Sequence, residues 1–187
     1  MSPGGRRTLL LALLGTGCAR SPSPTYFTLA PVPGTPRPGG PRGVALRRPG
    51  LPAYLDRPEI MRATGPYRLD MVPGAVWAAP FADMVARVLA EDLGQRLPGT
   101  GVYTEGSGLG DSAPATLVLD LQRFDADAGG RVTLDAQAGL RTGRGRRDRG
   151  ITVDAMARGP TTDDLVAAMS EALGLLADQL ATLLRAS

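Results

Sequence analysis

Apolar and polar positions alternate with two different periods along this chain, and the change of period marks its elements. Between Pro80 and Leu97, the apolar residues Phe81, Val85, Val88, Leu89 and Leu93 recur at helical spacing, with Asp83, Arg87, Glu91 and Asp92 toward solvent. That spacing predicts an amphipathic helix stopped by Pro98-Gly99. A second helix is predicted over Asp163 to Leu184, where Leu165, Met169, Leu173, Leu176, Leu180 and Leu183 make one stripe. Thr161 or Thr162 can cap it, and Asp163-Asp164 suit the positive end of its dipole.

Elsewhere the period is two, which predicts strands. Tyr26 to Leu29 reads as a first short strand, a second begins near Val44, and Arg68 to Val72 alternates up to a Pro73-Gly74 turn. Three longer patterns follow, on Leu117, Leu119 and Leu121, on Val132 to Leu140, and on Ile151 to Ala157. Asp127 to Gly130 and Gly143 to Gly150 read as hairpin connections, the second with an arginine-rich tip. Pro31 to Gly43 holds five prolines and four glycines and so reads as a surface loop. The expectation is an α+β fold over residues 26 to 187: a single, mostly antiparallel sheet with two amphipathic helices packed on one face.

The N-terminus follows another logic. Arg6-Arg7, the apolar run Leu9 to Leu14 and the small residues Gly15-Thr16-Gly17 precede Cys18, the single cysteine of the chain. A basic stretch, a short apolar run and small residues form an export signal, and the run is far below the roughly 20 residues of a membrane span. The arrangement resembles the bacterial lipobox, in which the cysteine thiol receives a diacylglycerol and the new N-terminus is acylated, palmitate being a usual chain. Gly15 stands where that motif carries Leu. Residues 1 to 17 are therefore expected to be a signal peptide, and residues 18 to 25 a lipid anchor with a Ser/Pro tether.

Composition narrows the chemistry. Of 187 residues none is His, and all 21 basic residues are Arg, a bias that fits a GC-rich genome. Without Arg6 and Arg7, 19 arginines face 18 acidic residues, a near-neutral balance with no general field for nucleic acid. The absence of His removes Ser-His-Asp and Cys-His nucleophile pairs, a histidine base and an ordinary zinc site. With one cysteine there is no internal disulfide, so stability rests on the core. Gly106-Ser107-Gly108-Leu109-Gly110 lacks the Gly-Lys-Ser/Thr of a phosphate loop and reads as an ordinary loop. No cofactor and no metal are expected.

Two segments are distinctive: Leu51-Pro52-Ala53-Tyr54-Leu55-Asp56-Arg57-Pro58-Glu59-Ile60 and Trp77-Ala78-Ala79-Pro80-Phe81. With Tyr26-Phe27-Thr28-Leu29 and Ala168-Met169-Ser170-Glu171-Ala172-Leu173, they resemble the PqiC family, the auxiliary lipoproteins of ABC-type intermembrane transport systems. Phe81 replaces that family's usual Leu, and the Gly143 to Gly150 stretch is altered. The resemblance implies a non-catalytic domain on the periplasmic face of the outer membrane, maintaining envelope integrity. It further implies an MCE-domain transport protein and an inner-membrane transporter component as partners, and a homo-oligomer.

The residues themselves leave two readings open for the first segment. Tyr54, Asp56, Arg57 and Pro58 can form a partner interface, since Tyr and Arg are common interface anchors. Alternatively Tyr54 fills the core while Asp56 bonds local backbone. Trp77 reads as core. Arg144, Arg146, Arg147 and Arg149, with Arg141, form a basic patch that is either a solvated tip or a contact for anionic headgroups or an acidic partner. A lipid-anchored envelope assembly or pilotin-type binding protein, unrelated to lipid transfer, is the competing class.

Overall fold

A computed structural model describes residues 23–186, so the predicted signal peptide and Cys18 lie outside the described residues. Eight strands and two helices are described: β1 Thr25–Phe27, β2 Gly43–Leu46, β3 Glu59–Gly65, β4 Arg68–Trp77, α1 Phe81–Arg96, β5 Gly101–Thr104, β6 Ala115–Ala126, β7 Arg131–Thr142, β8 Gly145–Met156 and α2 Thr162–Arg185. β6 is the axis of the sheet. One of its edges carries β7 and then β8, while the other carries β2 near its start and β3 at its end. β5 lies outside β2, and β4 and β1 lie outside β3.

The α+β class matches the expectation, but the mostly antiparallel sheet does not. The sheet is mixed, and four of its seven strand pairings are parallel: β1 with β4, β2 with β5, β2 with β6, and β3 with β6. The antiparallel pairings are β3 with β4, β6 with β7 and β7 with β8. Parallel neighbours require crossovers rather than tight turns. Here α1 intervenes between β4 and β5, and long irregular segments lead from β1 to β2 and from β2 to β3, so these strands return in the same direction.

Both helices bury their apolar stripes against the sheet and each other. Leu117, Leu119 and Leu121 of β6 and Leu134, Ala136 and Leu140 of β7 form one core with Val85, Leu89 and Leu93 of α1 and Leu173, Leu176 and Leu180 of α2. Each fully buried leucine contributes roughly 1.5–3 kcal/mol of transfer free energy. α2 begins at a reciprocal cap: Thr161 Oγ1 accepts from the Asp164 amide at 3.1 Å, and the Asp164 carboxylate accepts from the Thr161 amide at 3.2 Å. By length and composition α2 could cross a membrane, yet it is mostly buried inside the fold.

Two local expectations are corrected. Pro73-Gly74 does not end the strand, because β4 runs on to Trp77 and absorbs the pair as a bulge. The β3 register jumps from Met61 opposite Met71 to Glu59 opposite Val76, and Gly74 takes φ +69°. β1 pairs with β4 only from Ala75 to Trp77 and the β3 register skips Pro73, so it owes no ladder amide, and glycine adopts that φ without strain. The second hairpin connection is also much shorter than Gly143 to Gly150. β8 starts at Gly145, so Arg146, Arg147 and Arg149 stand on a strand opposite Arg141, Leu140 and Ala138 of β7.

Helices α1 and α2 are joined by a buried clasp. The Arg96 guanidinium donates to Asp178 Oδ1 at 2.9 Å, to the Val32 carbonyl at 3.1 Å and to the Asp92 carbonyl at 3.2 Å. Asp92, expected toward solvent, is instead fully buried in this clasp, and its Oδ1 accepts the Val32 amide at 2.8 Å. This ties the Pro31–Gly43 segment across both helices. Gly34 is required there, since a Cβ would sit 2.3 Å from Arg96 Cζ.

Candidate functional site

The Leu51–Ile60 segment leaves β2 along the edge of β6. The Gly50 amide donates to the Leu119 carbonyl and its carbonyl accepts the Leu121 amide, both at 2.9 Å. The chain then turns at Pro52, whose carbonyl accepts the Leu55 amide at 2.9 Å, and drives Leu55 into the core. Pro58 fixes the exit, because its carbonyl accepts the Trp77 amide at 2.7 Å. Trp77 is buried, as its composition context suggested, and stacks on Phe81 at 4.8 Å, which meets Phe124 at 5.5 Å. The two distinctive segments of the sequence therefore close on one another beside the end of β6.

Tyr54 locks this arrangement. Its hydroxyl donates to Asp125 Oδ2 at 2.8 Å and accepts the Phe124 amide at 3.3 Å. Asp125 is only 4% exposed, and its Oδ1 accepts Arg123 Nε at 3.1 Å and Nη2 at 3.0 Å. Burial, then the hydrogen bond to Asp125, pushes the Tyr54 phenol well above the ordinary tyrosine range. The hydrogen bond to Asp125 likewise raises the Arg123 guanidinium. Tyr54 is thus a fixed, half-buried neutral donor that acts as a structural bolt. Asp56, Arg57 and Pro58 differ, for all three are exposed. Arg57 Nε donates to Glu59 Oε2 at 2.8 Å, a hydrogen bond that lowers the Glu59 carboxyl.

Local alternation misplaces Asp125. Continued from Leu117, Leu119 and Leu121, alternation puts it on the core face, but a bulge between Leu121 and Arg123 shifts the parity, so Phe124 and Ala126 join the core and Asp125 lies on the opposite face, where Tyr54 covers it. Beside this network lies a groove of about 720 Å³, lined by Tyr54, Arg123, Asp125 and the end of the β3–β4 hairpin. Its walls carry guanidinium, carboxylate, amide and hydroxyl groups. Among the described residues, no group of three or more His, Cys, Asp or Glu could hold a metal ion.

The basic patch lies far from this segment. Arg146 pairs with Asp148 at 2.8 Å, whereas Arg147 donates to the Ala186 carbonyl and Arg149 Nη2 to Gln179 Oε1 at 3.2 Å. Arg147 and Arg149 therefore lean on the C-terminal half of α2, where cations suit the dipole. Arg144 stands exposed at the β7–β8 turn.

The model of one family, the ABC-type transport auxiliary lipoprotein component, matches residues 27–181. The chain belongs to that family. The match starts in β1 and ends within α2, so it takes in the Tyr54 bolt, the exposed Asp56-Arg57-Pro58 corner and the basic strand. Two solved structures share the fold. One, of an uncharacterized protein, is 18% identical with a TM-score of 0.74 and covers 87% of this chain and 99% of its own. The other, a DUF330 protein from Xanthomonas campestris, is 21% identical with a TM-score of 0.72, covering 87% and 95%. No functionally curated protein matches the chain. By its description the family is an auxiliary component of ABC-type transport.

Proposed function

We propose that the chain is a non-catalytic lipoprotein subunit of an MCE-type intermembrane lipid transport system, anchored through Cys18 at the periplasmic face of the outer membrane. Family membership supports the auxiliary transport role. The observation that carries a docking role is the exposed corner Asp56-Arg57-Pro58, held rigid from beneath by Tyr54 and by the Pro58 carbonyl bond to Trp77. A preorganised corner loses little entropy on binding, and Arg57 exchanges a weak exposed pair for a partner carboxylate. The basic strand Arg146 to Arg149 offers a second contact, for an acidic partner surface.

Photo-crosslinking in cells tests this directly. A photoreactive residue at Pro58 is expected to give an adduct with an MCE-domain protein, lost when Arg57→Glu is added. Adducts only with secretion or surface-polymer assembly proteins would transfer the chain to a pilotin-type role.

A further inference from the structure

The sheet has hairpin tips at both ends, the β3–β4 and β6–β7 turns at one and the β7–β8 turn at the other. Arg62 of β3 pairs with Ala126, the last residue of β6, and the turn Pro66-Tyr67 projects beyond that point. The β7–β8 turn, Gly143-Arg144, follows Thr142, which pairs with Ala115, the first residue of β6. The two ends of β6 are eleven residues, or about 36 Å, apart.

Chain direction decides which end faces the anchor. β1 runs parallel to β4, with Thr25 opposite Ala75 and Phe27 opposite Trp77, so Thr25 is the end of β1 nearer the Tyr67 tip. The chain enters the domain from that side. Seven residues separate Cys18 from Thr25, which limits their separation to about 25 Å. The Tyr67 tip lies six residues along β3 from Glu59, about 20 Å, in the direction from which the chain arrives. The Arg144 tip lies the opposite way, eight residues along the strands and four strand spacings across, about 32 Å in all. An anchor at Cys18 reaches the first tip and not the second.

The side chains agree with the geometry. Tyr67 is 101% exposed, Met71 54% and Tyr26 68%, and Leu69 is exposed beside them. Of the eight large exposed apolar side chains among the described residues, Tyr67, Leu69 and Met71 lie on this tip and the strand leaving it, and Tyr26 lies further back along the same edge. Arg62 and Arg68 flank them, with Asp70 4.0 Å from Arg68. Tyrosine with aliphatic neighbours and flanking cations is the composition of a surface seated at a bilayer interface.

We propose that the β3–β4 tip, through Tyr67 and Leu69, inserts into the headgroup boundary of the phospholipid bilayer that holds the Cys18 acyl chains. This rests on acylation of Cys18. The tether then does not leave the domain free to tumble, because tip and anchor fix it upright. The arginine-bearing end of β7 and β8 then lies away from the bilayer.

The full lipidated chain, reconstituted in phosphatidylethanolamine and phosphatidylglycerol vesicles, tests this with an environment-sensitive label on Tyr67→Cys. Acylation leaves that as the only free thiol. The control is Gly143→Cys at the other tip, where an added Cβ meets nothing within 4 Å. Lipid-borne doxyl groups are expected to quench the label at 67 about twofold or more, as for a group 5–10 Å into the interface, and to leave that at 143 unchanged. Mass spectrometry of the same sample reports the acyl chains. A water-exposed label at 67 on acylated protein, or quenching at 143 instead, would overturn the proposal. Protection at 67 only at high protein density would assign the tip to a second copy and also overturn it. An unmodified Cys18 would remove the anchoring reading, and the tip proposal with it.

Discussion

Tyr54→Phe removes one oxygen atom from the distinctive segment and leaves its shape. That oxygen holds two buried partners on β6: Asp125 Oδ2 at 2.8 Å and the Phe124 amide at 3.3 Å. Arg123 still neutralises Asp125 in the variant, so the carboxylate is not stranded, but one of its oxygens and an amide lose their partner. A hydrogen bond to a charged group contributes about 1.5–3 kcal/mol, so the expected loss is about 2–3 kcal/mol. For a domain of this size that lowers Tm by about 4–12 °C. Urea denaturation, followed through the single Trp77, measures it. Asp125→Asn added to Tyr54→Phe should cost less than it does alone, because both act on one bond. A loss below about 0.5 kcal/mol, the range of ordinary surface changes, would show that Tyr54 merely fills space and would refute the bolt.

Further outcomes follow from the same geometry. Because the folded chain holds the Tyr54 phenol above the tyrosine value of about 10, the unfolded chain releases its proton first as pH rises. Titration of Tyr54 should accordingly leave stability independent of pH below about 10 and lower it above, and Tyr54→Phe should flatten that part of a stability profile. Arg96→Met leaves Asp92, whose carboxyl burial already raises, without its cation, and should cost about 3–5 kcal/mol in urea denaturation. Adding Asp92→Asn should recover a measurable part. Thr161→Ala breaks the reciprocal cap of α2 and should lose about 1 kcal/mol in the same assay.

Much of the scaffold is legible from local periodicity. The stripe from Leu165 to Leu183 and the alternation of Leu117 to Leu121 place α2 and β6 because burial on one face leaves its mark on successive residues. β5 leaves almost none: its four residues are all half-buried, so no face stands out. β3 is hidden for a related reason, since only Ile60 and Met61 are buried in it. The parallel pairings are set by crossovers and long connections, and no local pattern encodes a neighbour that arrives from far along the chain. The same holds for the site. Pro58 and Arg57 stand out as a motif, whereas Asp125 lies 71 residues from Tyr54 and Asp178 lies 82 from Arg96. Those partners are fixed by the bulge in β6 and by helix packing, which only the folded chain brings together.

Docking of the exposed corner to a transport partner is the central claim, and co-purification from membranes measures it. The lipidated chain, solubilised and captured through a C-terminal tag, is predicted to bring down an MCE-domain protein in near-stoichiometric amount. Arg57→Glu should reduce that recovery about tenfold, equivalent to about 1.4 kcal/mol, while leaving the urea midpoint unchanged. Undiminished recovery with Arg57→Glu, or capture of no MCE-domain protein by the wild-type chain, would contradict the account.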